Sequence, residues 1–188
     1  MSLYFMAVGA LLVLAVLAAI WLIGVYNGLV RQRNLKDEAW SGIRVQLKKR
    51  HDLVGNLINT VKGYLAHERG LLEEITRTRA SAINASGVSA TGASEDALSR
   101  SLGRLFATAE NYPELRSSDN VLQMQESLKE VEEALSLARR YYNDTVRDLN
   151  TKIESFPVNI VAGMFGFVKA EFFELNSISD AEAPVVNL

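Results

Sequence analysis

From Met1 to Val30 the chain carries no charged side chain, and from Leu3 to Val25 nearly every residue is apolar. At about 1.5 Å of rise per residue, about 20 apolar residues cross a hydrocarbon core as a helix. A run of this length restricts the fold more than any other feature, because its backbone polar groups must be satisfied within the segment itself. A cleaved signal peptide would open with a basic stretch and close on a small-residue site. Here no Lys or Arg precedes the run, and Ala15, Ala18 and Ala19 lead into further hydrophobicity at Ile20-Trp21-Leu22-Ile23. The sequence therefore predicts a retained transmembrane anchor over residues 1–28, with Tyr4, Trp21 and Tyr26 suited to the two interface zones.

The flanks set an expected orientation. Arg31, Arg33 and Lys36 follow the run closely, against only the α-amino group before it. The positive-inside rule then predicts the N-terminus outside and the following domain in the cytoplasm, the alternative being a periplasmic domain. Cysteine is absent, so disulfides give no reading of the compartment. With 20 Lys and Arg against 22 Asp and Glu, the formal net charge is −2, which provides no nucleic-acid footprint.

Beyond the anchor the pattern is helical. Trp40, Leu47, Val54 and Val61 recur every seven residues, and Ile43, Leu57 and Tyr64 fill the partner row, which Arg50 interrupts. Such spacing lays an apolar stripe along one helix face. The phase continues through Leu65, Leu72, Ile75 and Ala82, predicting one helix from the membrane to Asn84, with bends favoured at Gly42, Gly55, Gly63 and Gly70. Small and polar residues from Asn84 to Ser94 predict a loop, with Ser94 capping a second helix whose first turn holds Glu95 and Asp96. That helix ends near Tyr112-Pro113, since the residue before proline avoids helical geometry. Val121, Met124, Leu128, Val131, Leu135, Ala138, Tyr142, Thr145 and Leu149 mark a third helix, capped by Asp119 and ended by Phe156-Pro157.

Only three prolines occur in the chain, which favours long helices. The expected fold is all-α: an N-terminal transmembrane helix continuing into a long antiparallel bundle of three to four helices over residues 29–176, then a loose tail over 177–188. The apolar stretch after Pro157 is too short to span a bilayer in the usual way. Val161, Met164, Phe165, Val168 and Phe172 would share one helical face. Residues 158–173 read either as a fourth helix closing the bundle or as an interfacial helix or oligomer contact.

The sequence points away from catalysis. His67-Glu68 begins like a zinc-protease helix, but Leu71 stands where the second histidine belongs. A di-iron bundle places Glu three residues before His, whereas Lys48 and Tyr64 precede His51 and His67. No phosphate-binding glycine loop or nucleophile pattern is present. The basic cluster Lys48-Lys49-Arg50 reads as a solvated face plus one polar seam residue, the alternative being contact with phosphates or anionic lipid headgroups, and Glu126, Glu130, Glu132 and Glu133 read as an outer helix face. Neither a catalytic residue nor a cofactor or metal ligand is expected.

Several local patterns are more specific. Tyr26-Asn27, Leu29-Val30, Ala39-Trp40-Ser41, Val45-Gln46-Leu47-Lys48, Arg50, Asp52-Leu53, Asn56-Leu57, Val61-Lys62-Gly63-Tyr64 and His67-Glu68 form an ordered series. It continues through Glu110-Asn111-Tyr112-Pro113-Glu114-Leu115, Ala138-Arg139, Tyr141-Tyr142-Asn143, Asn150, Phe156-Pro157, Gly166-Phe167 and Phe172-Phe173. Together these residues resemble the LemA family of bacterial membrane proteins along nearly the whole chain. The family usually has Asp where Arg44 stands, Pro where Gly55 stands, and Lys where Val185 stands. The resemblance implies one N-terminal transmembrane helix in the bacterial inner membrane, a long antiparallel helical domain and no known catalytic activity. Genes of the family often lie near membrane peptidase-like genes, which implies a membrane peptidase or other envelope protein as a partner.

The sequence reading is thus a membrane-anchored helical scaffold that contacts lipid through its first helix and associates with itself. Trp40, Leu47, Val54, Tyr64, Tyr142, Phe156, Phe165, Phe167 and Phe172 are its expected packing or contact residues. A lipid-binding or membrane-remodelling protein using residues 158–173 is the alternative.

Overall fold

The computed structural model describes residues 1–174, so the expected tail over 177–188 lies outside the described residues. Among the described residues six helices follow one another: α1 (Ser2–Val61), α2 (Arg69–Asn84), α3 (Val88–Ala109), α4 (Pro113–Arg116), α5 (Asp119–Glu154) and α6 (Val158–Met164). No strand occurs among the described residues, and the fold is all-α. Two compact units divide the chain. One combines Met1–Trp40 with Asn143–Ala170, and the other combines Ser41–Tyr142 with the described residues 171–174.

In the first unit, the apolar opening of α1 is long and apolar enough to cross a membrane, and none of that stretch is buried against protein. Leu29 and Ala39 of α1, Val146 and Leu149 of α5, and Val161 and Ala162 of α6 are buried. The chain after Pro157 does not form the helix expected as far as Phe173. Helix α6 has seven residues, and its end is locally encoded. Gly166 takes the left-handed conformation (φ 71°), the Phe167 amide donates to the Ala162 carbonyl at 2.9 Å, and the Gly166 amide donates to that of Gly163. These are the paired bonds of a Schellman stop, which glycine makes without a Cβ penalty.

In the second unit, Val54, Leu57 and Val61 of α1 meet Leu72 and Ile75 of α2, Leu98, Leu102 and Leu105 of α3, Leu115 of α4, and Val121 and Leu128 of α5. Each fully buried leucine or valine stabilises such a core by about 1.5–3 kcal/mol. The continuous helix expected to Asn84 is instead two. Helix α1 ends at Val61, and the Tyr64 and Leu65 amides both donate to the Val61 carbonyl at 3.0 Å as the chain turns. The turn contains Gly63 and plants Leu65 in the core. The seven-residue stripe thus keeps its phase across the turn, with Val54, Val61, Leu65, Leu72 and Ile75 in one core.

The loop expected over residues 84–94 is also shorter than composition implied. Helix α3 begins at Val88, behind Gly87 with φ 88°, and α2 packs along α3. Ser94 is inside the helix, its hydroxyl donating to the Ala90 carbonyl at 2.7 Å, and caps nothing. Small residues here serve a close approach. A Cβ on Gly92 would lie 2.5 Å from the Glu174 carbonyl oxygen. At the start of α5, the Ser118 carbonyl accepts the Leu122 amide, so Asp119 is the first helical residue and not the cap, a one-residue difference.

Candidate functional site

The interruption of the stripe at Arg50 proves to be the centre of the second unit's polar interior. A guanidinium inside a helical core must find acceptors, because an unpaired buried charge is costly. Arg50 Nη1 donates to Glu95 Oε2 of α3 at 2.8 Å, and Nη2 donates to Ser99 Oγ at 2.7 Å. Glu132 Oε2 of α5 lies 3.3 Å from the same Nη2. The second Glu95 oxygen meets His51 Nε2 at 2.6 Å. With Glu95 as the carboxylate that pairs Arg50, its oxygens only accept, so the His51 proton sits on Nε2. Glu95 has no exposed surface.

At the same turn of α1, Arg79 of α2 donates from Nε to the His51 backbone carbonyl at 2.6 Å. Gly55 permits that approach, since a Cβ there would stand 3.0 Å from Arg79 Nη2. Every buried side-chain nitrogen and oxygen among the described residues has a partner. The arrangement joins three helices to α1 through charge-assisted bonds. One sequence reading is corrected by it: Glu95 is a buried ion-pair partner rather than a first-turn acid, whereas Glu132 is exposed on the outer face as expected and also reaches Arg50. A polar residue in a heptad seam was the one available signal, since it demands an acid on a facing helix.

Beside this cluster, α1, α2 and the turn joining them border an open cleft of about 1150 Å³. Lys62, Arg69, Arg77 and Arg79 line it against Asp52 and Glu73, over Ile58, Leu65 and Leu72. At the same end of the unit, Tyr112 Oη donates to Glu68 Oε1 at 3.1 Å. That bond, then partial burial and the nearby carboxylate charge, raise the Tyr112 phenol above its ordinary value. No group of three or more His, Asp or Glu side chains converges among the described residues.

The expected contact residues fall in different places. Leu47, Val54 and Tyr142 are buried, and the Tyr142 hydroxyl donates to the Glu171 carbonyl at 2.9 Å. Trp40 and Phe167 are half-buried, whereas Tyr64, Phe156, Phe165 and Phe172 are exposed. Two of the set come together in the first unit. Phe165 and Phe167 pack on Tyr26, with ring centroids 4.9 and 5.8 Å away. Arg33 lies 5.4 Å over the Phe167 ring.

An apolar first helix of membrane-crossing length, followed by helices locked around a buried Arg–Glu–His cluster, defines a membrane-associated all-α protein. The chain belongs to the LemA family, whose sequence pattern matches residues 39–188. It is similar to the magnetosome protein MamQ 2 of Paramagnetospirillum magneticum, 26% identical over 92% of this chain and 75% of the relative. MamQ of Magnetospirillum gryphiswaldense is 24% identical over 82% of this chain and 66% of its own length. The protein LemA of Metamycoplasma hominis is 26% identical over 88% and 76%.

Proposed function

We propose that this protein is a membrane-anchored helical scaffold without a reaction of its own, which works through contacts with other chains and with further copies of itself. One observation carries the reading: Leu137 and Tyr141, one turn apart on α5, are 63% and 51% exposed. Both present apolar surface to solvent from one face of that helix, and an exposed apolar helix face is what helix-to-helix contacts between chains use. The buried ionisable groups Arg50, His51 and Glu95 hold one another, which supports a structural use of the most polar interior site.

The chain sits in the bacterial plasma membrane by this reading, crossing it once over residues 1–28. Arg31, Arg33 and Lys36 favour a cytoplasmic domain. A membrane peptidase or another envelope protein is the heterologous partner class. Light scattering of the detergent-solubilised full chain tests the self-association. A particle of at least two chains, reduced to one by the double variant Leu137→Glu/Tyr141→Glu, is expected. A single chain in the unaltered protein overturns it.

A further inference from the structure

Between Glu154 and Lys169 the chain has no charged residue, and the structure holds this stretch as a closed loop. At its base the Asn150 amide donates to the Ala170 carbonyl at 3.0 Å and accepts the Ala170 N–H at 2.8 Å. Lys169 pairs with Glu154 at 2.8 Å beside them. Val161 and Ala162 turn inward, leaving Phe156, Ile160, Met164 and Val168 outward, with Phe156 and Val168 about four-fifths exposed. A loop that shows large apolar side chains to its surroundings from a pinned base is built to be covered.

The loop's other attachment says by what. Phe165 and Phe167 pack on Tyr26, and Tyr26 directly follows the apolar run that ends at Val25. Where that run crosses a bilayer, Tyr26 stands at the level of the headgroups. Rings in contact with Tyr26 stand there too. Arg33, over the Phe167 ring, and Arg31 supply the positive charge that anionic headgroups attract.

We propose that the loop Ser155–Val168 seats on the bilayer surface at the foot of the chain's own first helix, with Phe156, Ile160, Met164 and Val168 in the headgroup–acyl boundary. The occupant of this apolar face is lipid. The proposal rests on the reading that α1 crosses the membrane and adds a second attachment to it. An apolar surface at that level lies about 5–10 Å into the boundary. It holds the first unit to the lipid plane at a second point.

The chain has no cysteine, so single-cysteine variants of the full protein accept an environment-sensitive fluorophore at one site. Phe156→Cys, Met164→Cys, Leu11→Cys and, at an exposed position of α2, Ser81→Cys are reconstituted into mixed phosphatidylcholine–phosphatidylglycerol vesicles. Circular dichroism confirms that each keeps its helix content. Probes at 156 and 164 are expected to emit blue-shifted light and to lose intensity with nitroxides at shallow lipid positions, while the probe at 81 does neither. Water-like emission at 156 and 164 overturns the proposal, and so does a blue shift without lipid quenching, which means that protein covers the loop. Quenching at Leu11→Cys by deep nitroxides reports the membrane crossing separately. If it persists while the loop probes stay unquenched, only the proposal about the loop fails.

Discussion

Arg50 and Glu95, separated by 45 residues, meet at 2.8 Å in the interior of the helical core. The carboxylate has no contact with solvent, and its second oxygen is held by His51. Pairing of this kind offsets the desolvation of both charges only while all the partners remain.

Removing the shared acceptor should therefore be severe. Glu95→Ala leaves Arg50 and His51 facing each other without the carboxylate, an expected loss of about 3–5 kcal/mol. The double variant Arg50→Met/Glu95→Leu should cost less than the sum of the two single changes, because neither charge is then stranded. Urea unfolding of the solubilised full chain, followed by far-ultraviolet circular dichroism, measures both.

A methyl group at Gly92 should be felt at the far end of the described chain. The Cβ of Gly92→Ala would meet the Glu174 carbonyl oxygen at 2.5 Å and come within 3.7 Å of the Phe173 ring, and backbone cannot yield as a side chain does. A loss of about 1–3 kcal/mol is expected, with faster amide exchange from Glu171 to Glu174. Gly103→Ala provides the contrast. Nothing lies within 4 Å of its Cβ position, so helix propensity should raise stability by up to about 1 kcal/mol.

The Tyr112–Glu68 hydrogen bond makes stability fall in alkaline solution. Because the folded chain holds the phenol proton more tightly than the unfolded chain, this contribution is complete below the ordinary tyrosine value of 10.0. It is lost as pH rises through the higher folded-state value. Tyr112→Phe should lower stability near neutrality and flatten the decline above pH 10.0, as read from midpoints of denaturant unfolding across that range.

Much of the fold was legible because apolar spacing is a local property. Leu47, Val54, Leu57, Leu65, Leu72, Ile75, Leu98, Leu128 and Leu135 all fell on the faces that the spacing assigned, and all are buried. The reversal after Val61 escaped detection since Leu65 keeps the helical phase on both sides of it. The Asn84–Ser94 stretch misled for a different reason. Glycine, serine and alanine suit a loop, but they equally suit a helix face against which another backbone lies, and Gly92 was of the second kind. Glu95 was unreadable alone, because an acid near a helix start is ordinary until Arg50 is brought opposite it. Residues after Met164 kept an apolar period that the turn at Gly166 cuts short. Spacing names Phe156 and Phe165 as packing or contact residues without saying which, and the structure leaves both exposed.

Phe173 has no exposed surface, and beside it Ser89 Oγ donates to Glu171 Oε2 at 3.1 Å across 82 residues. Contacts of such long sequence span close large loops and form late in folding. During synthesis, α3 leaves the ribosome well before the residues that cover it, and its Gly92 face waits bare for them. A chain cut short between Met164 and Phe173 would carry all six helices around an unfilled place.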